Sequence, residues 1–158
     1  MPEPVKRPAR IDPAQSVELA IPSAARVFRR VYNDYFAQIG LSPTQALLVG
    51  VLDHYREPMQ QTVLADRIGI RKAMIGHAID VLLAAGYVTR VSDPGDGRAK
   101  LVSLTARGRE LASTVDQRFG ELAAVIRRRT TRAQRVAMVE LLTLMTENLE
   151  EFAASDFS

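Results

Sequence analysis

The stretch from Ile70 to Thr105 constrains the chain most. Projected at a helical period of about 3.6 residues, residues 71–85 gather Ile75, Ala78, Ile79 and Leu82 on one face, which is therefore the core face. The opposite face carries Ala73, Gly76, His77, Asp80 and Ala84, small residues where a solvent-facing helix ordinarily carries long Lys, Glu or Gln. Gly76 costs about 1 kcal/mol of helix propensity relative to Ala, so it asks for a steric reason, a close approach of the backbone to something else. No linker follows: Gly86 ends the helix as a left-handed cap, residues 87–91 are rich in β-formers, and residues 100–104 form the return strand. Between the strands, Asp93-Pro94-Gly95-Asp96-Gly97-Arg98 joins turn chemistry to charges that belong on an exposed tip. A helix with a small outward face, joined directly to a charged hairpin, suits the grooves of duplex DNA. The helix can enter a major groove, and Arg98, with Asp96 two residues earlier to direct it, can enter a minor groove where negative potential concentrates.

Upstream, Pro2, Pro4, Pro8 and Pro13 alternate with charges through residues 1–15, a composition that makes a flexible arm in which Lys6, Arg7 and Arg10 can brush phosphate or a neighbouring subunit. From Ser16 the pattern turns helical, with Ala24, Val27, Phe28, Val31, Tyr35 and Ile39 at three- and four-residue steps and Gly40 closing the helix. Pro22 leaves two readings open, a kinked helix or a short turn followed by a new helix. Ser42-Pro43-Thr44-Gln45 is a capping box, and it starts a helix with Leu48, Val51, Leu52 and Tyr55 inward that Glu57-Pro58 stops. A short helix over residues 60–68 turns Val63, Leu64 and Ile68 inward and ends at Gly69. Only Gly69 and Ile70 separate it from the helix at Arg71, which is a helix-turn-helix layout.

Downstream, Thr105 caps a long helix reaching Arg129 with Leu111, Val115, Phe119, Leu122 and Ile126 as its stripe. Arg127-Arg128-Arg129 suits a helix C-terminus, where cations meet the negative end of the dipole. Thr130 or Thr131 caps a last helix in which Met138, Leu142, Met145, Leu149 and Phe152 alternate four- and three-residue steps, the spacing of a helix-packing seam. Leu141 and Leu144 widen that face beyond what one partner helix covers, and Glu140, Glu147, Glu150, Glu151 and Asp156 make this end acidic, turned from DNA and toward protein.

Composition excludes several classes. With no cysteine among 158 residues there is no disulfide, thiolate metal site or thiol redox switch, and no His/carboxylate cluster suggests metal binding. No apolar run spans a bilayer and residues 1–10 lack the apolar core of a signal peptide, so a cytoplasmic protein without membrane contact is expected. The net charge of +3 permits a polyanionic partner without requiring one. The two histidines, His54 and His77, lie on different helices with no carboxylate at catalytic spacing, and Gly95-Asp96-Gly97 sits in a hairpin rather than a phosphate-binding strand-to-helix turn. No catalysis and no cofactor are expected. A winged-helix module that binds protein instead of specific DNA is the alternative reading, separable by salt-dependent binding to duplex.

The chain resembles the MarR (multiple antibiotic resistance regulator) family of winged helix-turn-helix transcription factors. The resemblance rests on residues 40–45, 64–70, 78–82, 85–90 and 93–108, above all the Asp96-x-Arg98 tip followed by Leu104-Thr105-x-x-Gly108. It implies a mainly α fold with a small β-hairpin wing: a flexible arm (1–15), a dimerisation helix (16–40), a DNA-binding lobe (41–105) and C-terminal dimerisation helices (106–158). It further implies a homodimer on a near-palindromic operator, with Arg98, steadied by Asp96, in the minor groove; Lys100 is a further candidate DNA-binding residue. The recognition helix departs from the usual family pattern in having Arg71, Met74, Gly76 and His77, so its operator is its own. Arg71 and Lys72 suit phosphate or guanine, and Ala73 or Met74 a thymine methyl. Relatives that repress transcription until a small aromatic or lipophilic ligand binds imply a pocket here, for which Tyr32, Phe36, His54 and Tyr55 are the candidate lining and Arg26 and Arg29 the candidate carboxylate partners.

Overall fold

The computed structural model describes residues 16–96 and 98–156. The arm expected over residues 1–15, with Lys6, Arg7 and Arg10, and Gly97 at the hairpin tip lie outside the described residues. The elements run α1 (Val17–Ala37), α2 (Pro43–Tyr55), β1 (Met59–Gln60), α3 (Gln61–Ile68), α4 (Lys72–Ala84), β2 (Val88–Ser92), β3 (Lys100–Leu104), α5 (Ala106–Arg127) and α6 (Arg132–Asp156). The chain divides into two compact units, Met1–Asp116 and Gln117–Ser158, with the boundary inside α5.

In the first unit α1 is a single helix with Pro22 inside it, which settles the choice the sequence leaves open. It stops at Ala37 rather than at Gly40. Gly40 (φ +73°) reverses the chain after a turn, so that the Leu41 N–H donates back to the Phe36 carbonyl at 3.1 Å. The α2 capping box is formed in both directions: Ser42 Oγ accepts from the Gln45 N–H (3.2 Å) and Gln45 Oε1 from the Ser42 N–H (2.8 Å). α2 ends at Tyr55 through Arg56 in the left-handed region (φ 54°). Its inward face is Ala46, Leu48, Val49 and Leu52; Val51 is only half-buried and Tyr55 is exposed, contrary to expectation.

Pro58 is followed not directly by a helix but by β1, which pairs antiparallel with β3 through Met59↔Val102 and Gln60↔Leu101. The sheet is therefore three-stranded, in the order β1-β3-β2. α3 turns Leu64 and Ala65 inward, while Val63 is exposed, so the expected inward face is corrected at that residue. The left-handed Gly69 (φ +73°) ends α3, and α4 begins two residues after Ile70 with Ile75, Ala78, Ile79 and Leu82 buried as the stripe requires. β2 starts at Val88 because the Tyr87 N–H closes α4 onto the Leu82 carbonyl (2.9 Å). Thr105 caps α5 as expected, its Oγ1 accepting from the Gly108 N–H (3.0 Å) and donating to the Gly86 carbonyl (2.8 Å).

In the second unit α5 ends at Arg127, two residues short of the expected Arg129, which is itself left-handed (φ 59°). Thr131, not Thr130, caps α6, in a second reciprocal box with Gln134 (2.8 and 3.2 Å). Along the α6 stripe Met138, Leu142, Leu149 and Phe152 are exposed. On α1, Val27, Phe28 and Val31 are likewise exposed, and Phe36 is the one α1 side chain buried. Among the described residues no helix is long and apolar enough to cross a membrane, and no group of His, Cys, Asp and Glu is placed to hold a metal ion.

Candidate nucleic-acid interface

With the Ile75 stripe turned into the core, α4 presents Arg71, Lys72, Ala73, Met74 and His77 outward, all exposed. Arg71 is the N-cap and Lys72 the first helical residue, so two cations stand at the positive end of the helix dipole, a favourable place for a phosphate. Asp80, on the same outward face, is not a free surface charge. Its Oδ1 pairs with Arg90 Nη2 at 2.7 Å, tying the middle of α4 to β2.

The hairpin that follows is braced at several levels. Thr89 and Ser103 hydroxyls meet across the strands at 3.0 Å, and Lys100 Nζ donates to Ser92 Oγ at 2.7 Å, so Lys100 is anchored to the ribbon. The tip closes through the Asp93 N–H to the Ala99 carbonyl (3.0 Å) and the Ala99 N–H to the Asp96 carbonyl (2.9 Å). Expected to direct the Arg98 side chain, Asp96 instead accepts through Oδ1 from the Arg98 backbone N–H at 3.0 Å, so it shapes the turn beneath the exposed side chain. Asp93 accepts from the Gly95 N–H (2.8 Å) and from Gln60 Nε2 (2.7 Å), and these two bonds, the Gly95 one first, hold its carboxyl below the usual carboxylate range.

The small residue at position 76 finds its steric reason inside the chain. A Cβ there would stand 2.8 Å from Gln61 Nε2, which donates to the Lys72 carbonyl at 3.2 Å. Gly76 is half-buried under that carboxamide, whereas Ala73, His77 and Ala84 are open. Gln60, Gln61, Asp93 and the Asp80–Arg90 pair are contributors that sequence reasoning gave no role. Periodicity carries no signal for them, since Gln60 and Asp93 are 33 positions apart.

The candidate pocket residues do not converge. A groove of about 520 Å³ lies between α1, the start of α2 and α4, lined by Phe28, Arg29, Tyr32, Pro43, Thr44 and Met74 among others. Phe28, Tyr32 and Phe36 form a tilted ladder with ring centroids 6.2 Å apart, but Phe36 is fully buried in the core. Arg26 bonds Ser23 on its own helix (3.3 Å). His54 and Tyr55 sit at the other end of α2, edge to face at 4.8 Å, with Arg67 stacked 3.8 Å over the Tyr55 ring. Of the expected set, Tyr32 and Arg29 line the groove; Met74, expected to reach bases, lines it too.

Comparison with known proteins agrees with this arrangement. Residues 39–99 match the model of the MarR family. A MarR transcriptional regulator from Methanosarcina mazei Go1 is 26% identical, with a TM-score of 0.67 over 86% of this chain and 97% of that one. S. aureus MepR in a DNA complex is 17% identical, with a TM-score of 0.76 over 85% and 98% of the two chains. BpsR of Bordetella bronchiseptica, whose DNA binding is regulated by 6-hydroxynicotinic acid, is 21% identical, with a TM-score of 0.74 over 86% and 96%. A helix-turn-helix lobe, an ion pair joining its second helix to a braced wing, and a fold shared along nearly the whole of these regulators make residues 39–99 similar to the MarR family, and the chain similar in fold to winged-helix transcriptional regulators.

Proposed function

We propose that this chain is a sequence-specific regulator of transcription that binds double-stranded DNA as a homodimer and acts as a repressor released by a small aromatic or lipophilic ligand. The carrying observation is the pairing of an α4 N-terminus bearing Arg71 and Lys72 with a hydrogen-bonded wing presenting Arg98, the two joined by the Asp80–Arg90 bridge. In this reading residues 41–105 read DNA while residues 16–40 and 106–158 pair the copies. Arg71, Lys72, Ala73, Met74 and His77, all exposed, serve the major groove, and Asp96, Arg98 and Lys100 the minor groove, while Gly76 lies beneath Gln61. The S. aureus relative was captured on DNA and the Bordetella relative is regulated by an aromatic acid, which supports both halves of the reading. The groove holding Arg29 beside Phe28 and Tyr32 has the chemistry for such an acid, a cation next to aromatic walls. The protein works in the cytoplasm, where its DNA is, and catalyses no reaction.

Genomic fragments selected by the protein should share a near-palindromic site, and affinity for it should fall steeply with salt, as counterion release demands. Binding that is weak, salt-insensitive and indifferent to sequence would favour the protein-interaction module instead. The dimer is a separate expectation. The exposed apolar faces of α1 and α6 need a cover, so light scattering should return twice the chain mass of 17.4 kDa. Persistence of a monomer at micromolar concentration would contradict it.

A further inference from the structure

Gln60 and Gln61 are adjacent, yet their carboxamides go to the two halves of the DNA-facing surface. Gln60 Nε2 donates to Asp93 Oδ2 at the base of the wing tip, 2.7 Å away, and the other Asp93 oxygen holds the Gly95 N–H. Gln61 Nε2 donates to the Lys72 carbonyl in the first turn of α4 and lies over Gly76. The dipeptide has a fixed backbone, since Gln60 pairs with Leu101 in the sheet and is the N-cap of α3. Both side chains are half-buried.

We infer that Gln60 and Gln61 are positioning residues, a two-residue strut that sets the wing and the start of the recognition helix at one separation and so tunes operator binding without touching DNA. This deepens the regulator reading and rests on it. Two contacting elements that must meet two grooves at once gain from being held in place beforehand, because less freedom is lost on binding. The Asp80–Arg90 pair alone is a weak spacer: with side chains 64% and 31% exposed it is open to screening by salt. The Gln60–Asp93 bond has an ionised acceptor, which shortens and strengthens it, and it acts at the base of the tip, closer to Arg98 than Arg90 is in sequence. Gly76 completes the device. A Cβ there would make the Gln61 carboxamide shift from its place over α4, so the glycine leaves room for the strut.

The test uses the full chain with Gln60→Ala, Gln61→Ala, Asp93→Ala and Asp93→Asn. Hydrogen exchange is followed in the free protein, and affinity and hydroxyl-radical protection on its selected operator. Gln60→Ala and Asp93→Ala should speed exchange of the Gly95 and Ala99 amides and weaken operator binding by about tenfold, the scale of one lost hydrogen bond, with protection lost at the flanks and kept at the centre. Gln61→Ala should loosen the first turn of α4 and lose protection at the centre instead. Asp93→Asn can still accept from Gly95 and, with the Gln60 carboxamide turned over, donate to it through a neutral bond, so its loss should be clearly smaller than that of Asp93→Ala. Exchange and affinity unchanged in Gln60→Ala and Asp93→Ala would overturn the strut, as would an Asp93→Asn loss equal to that of Asp93→Ala, which would assign the effect to charge. A parent that binds no duplex DNA would overturn the regulator reading, while the exchange measurements would still uphold or overturn the strut.

Discussion

Gly108→Ala is expected to destabilise the chain by about 3 kcal/mol, the upper part of the range for overpacking a closed site. The new methyl would fall on the Tyr87 carbonyl oxygen well inside any real contact distance, 3.0 Å from the Tyr87 carbonyl carbon and 3.2 Å from Leu104 Cδ2. A flexible side chain could move aside, but this obstacle is backbone, and it is held from every direction. The Tyr87 carbonyl accepts the Thr105 N–H (3.0 Å), the Tyr87 N–H closes α4 onto Leu82, and Arg107 stacks 4.8 Å over the Tyr87 ring while donating to the Ala85 carbonyl. Relief therefore requires α5 to tilt away from the α4–β2 junction, which breaks the Thr105 cap as well. In a chain of this size the melting temperature should drop by roughly 6–12 °C. Gly120→Ala in the same helix is the control: among the described residues nothing beyond its own stretch of helix lies within 4 Å of the added methyl, so it should be neutral or gain up to about 1 kcal/mol of helix propensity. Equal melting of Gly108→Ala and the parent would mean that α5 does not seat on Tyr87 as described.

Gly108 also shows what was legible beforehand and what was not. The Leu104-Thr105-x-x-Gly108 pattern stood out as a family mark, and Thr105 could be read as a cap from its type and place. The carbonyl that makes residue 108 a glycine lies 21 positions back and could not be read. The same division runs through the lobe. Local signals, such as the Ser42–Gln45 box, the Ile75 stripe and the left-handed Gly69 and Gly86, led to elements that formed within a residue or two of expectation. Features that depend on distant partners did not announce themselves. β1 is two residues long and exists because Val102 and Leu101 stand beside it; nothing in Met59-Gln60 alone distinguishes a strand from the first turn of a helix.

Side-chain roles were harder still, because a face is not a partner. Asp80 reads as an outward residue and is one, yet its function in the fold is to hold Arg90. Tyr55 has the helical spacing of a core residue but lies beyond the last buried turn of α2, where Arg67 takes it. The family resemblance groups Tyr32, Phe36, His54 and Tyr55 as the lining of one pocket. In space they divide between a groove, the core and the opposite end of α2.

Arg98→Ala should weaken operator binding by about 1–3 kcal/mol, or roughly 5- to 150-fold, while leaving the melting temperature unchanged. The residue is exposed at the end of a hairpin whose shape is set by its neighbours' backbone bonds, so its side chain contributes reach and charge and nothing to the core. An arginine in a narrow minor groove responds to the electrostatic potential there, which is strongest over A·T-rich sequence, so the loss should concentrate on operators with A·T-rich flanks and shrink on G·C-rich ones. Removing one cation from the phosphate field should also reduce the salt slope by about one. Asp96→Ala is the informative companion. Because its carboxylate accepts from the Arg98 N–H and not from the guanidinium, its removal should leave the charge in place with a looser turn under it, giving a smaller affinity loss than Arg98→Ala and the parent's salt slope. Titrating the three proteins against one operator at two salt concentrations separates these effects. If Arg98→Ala binds as tightly as the parent at both, with the same slope, the tip does not enter the groove and recognition rests on α4 alone.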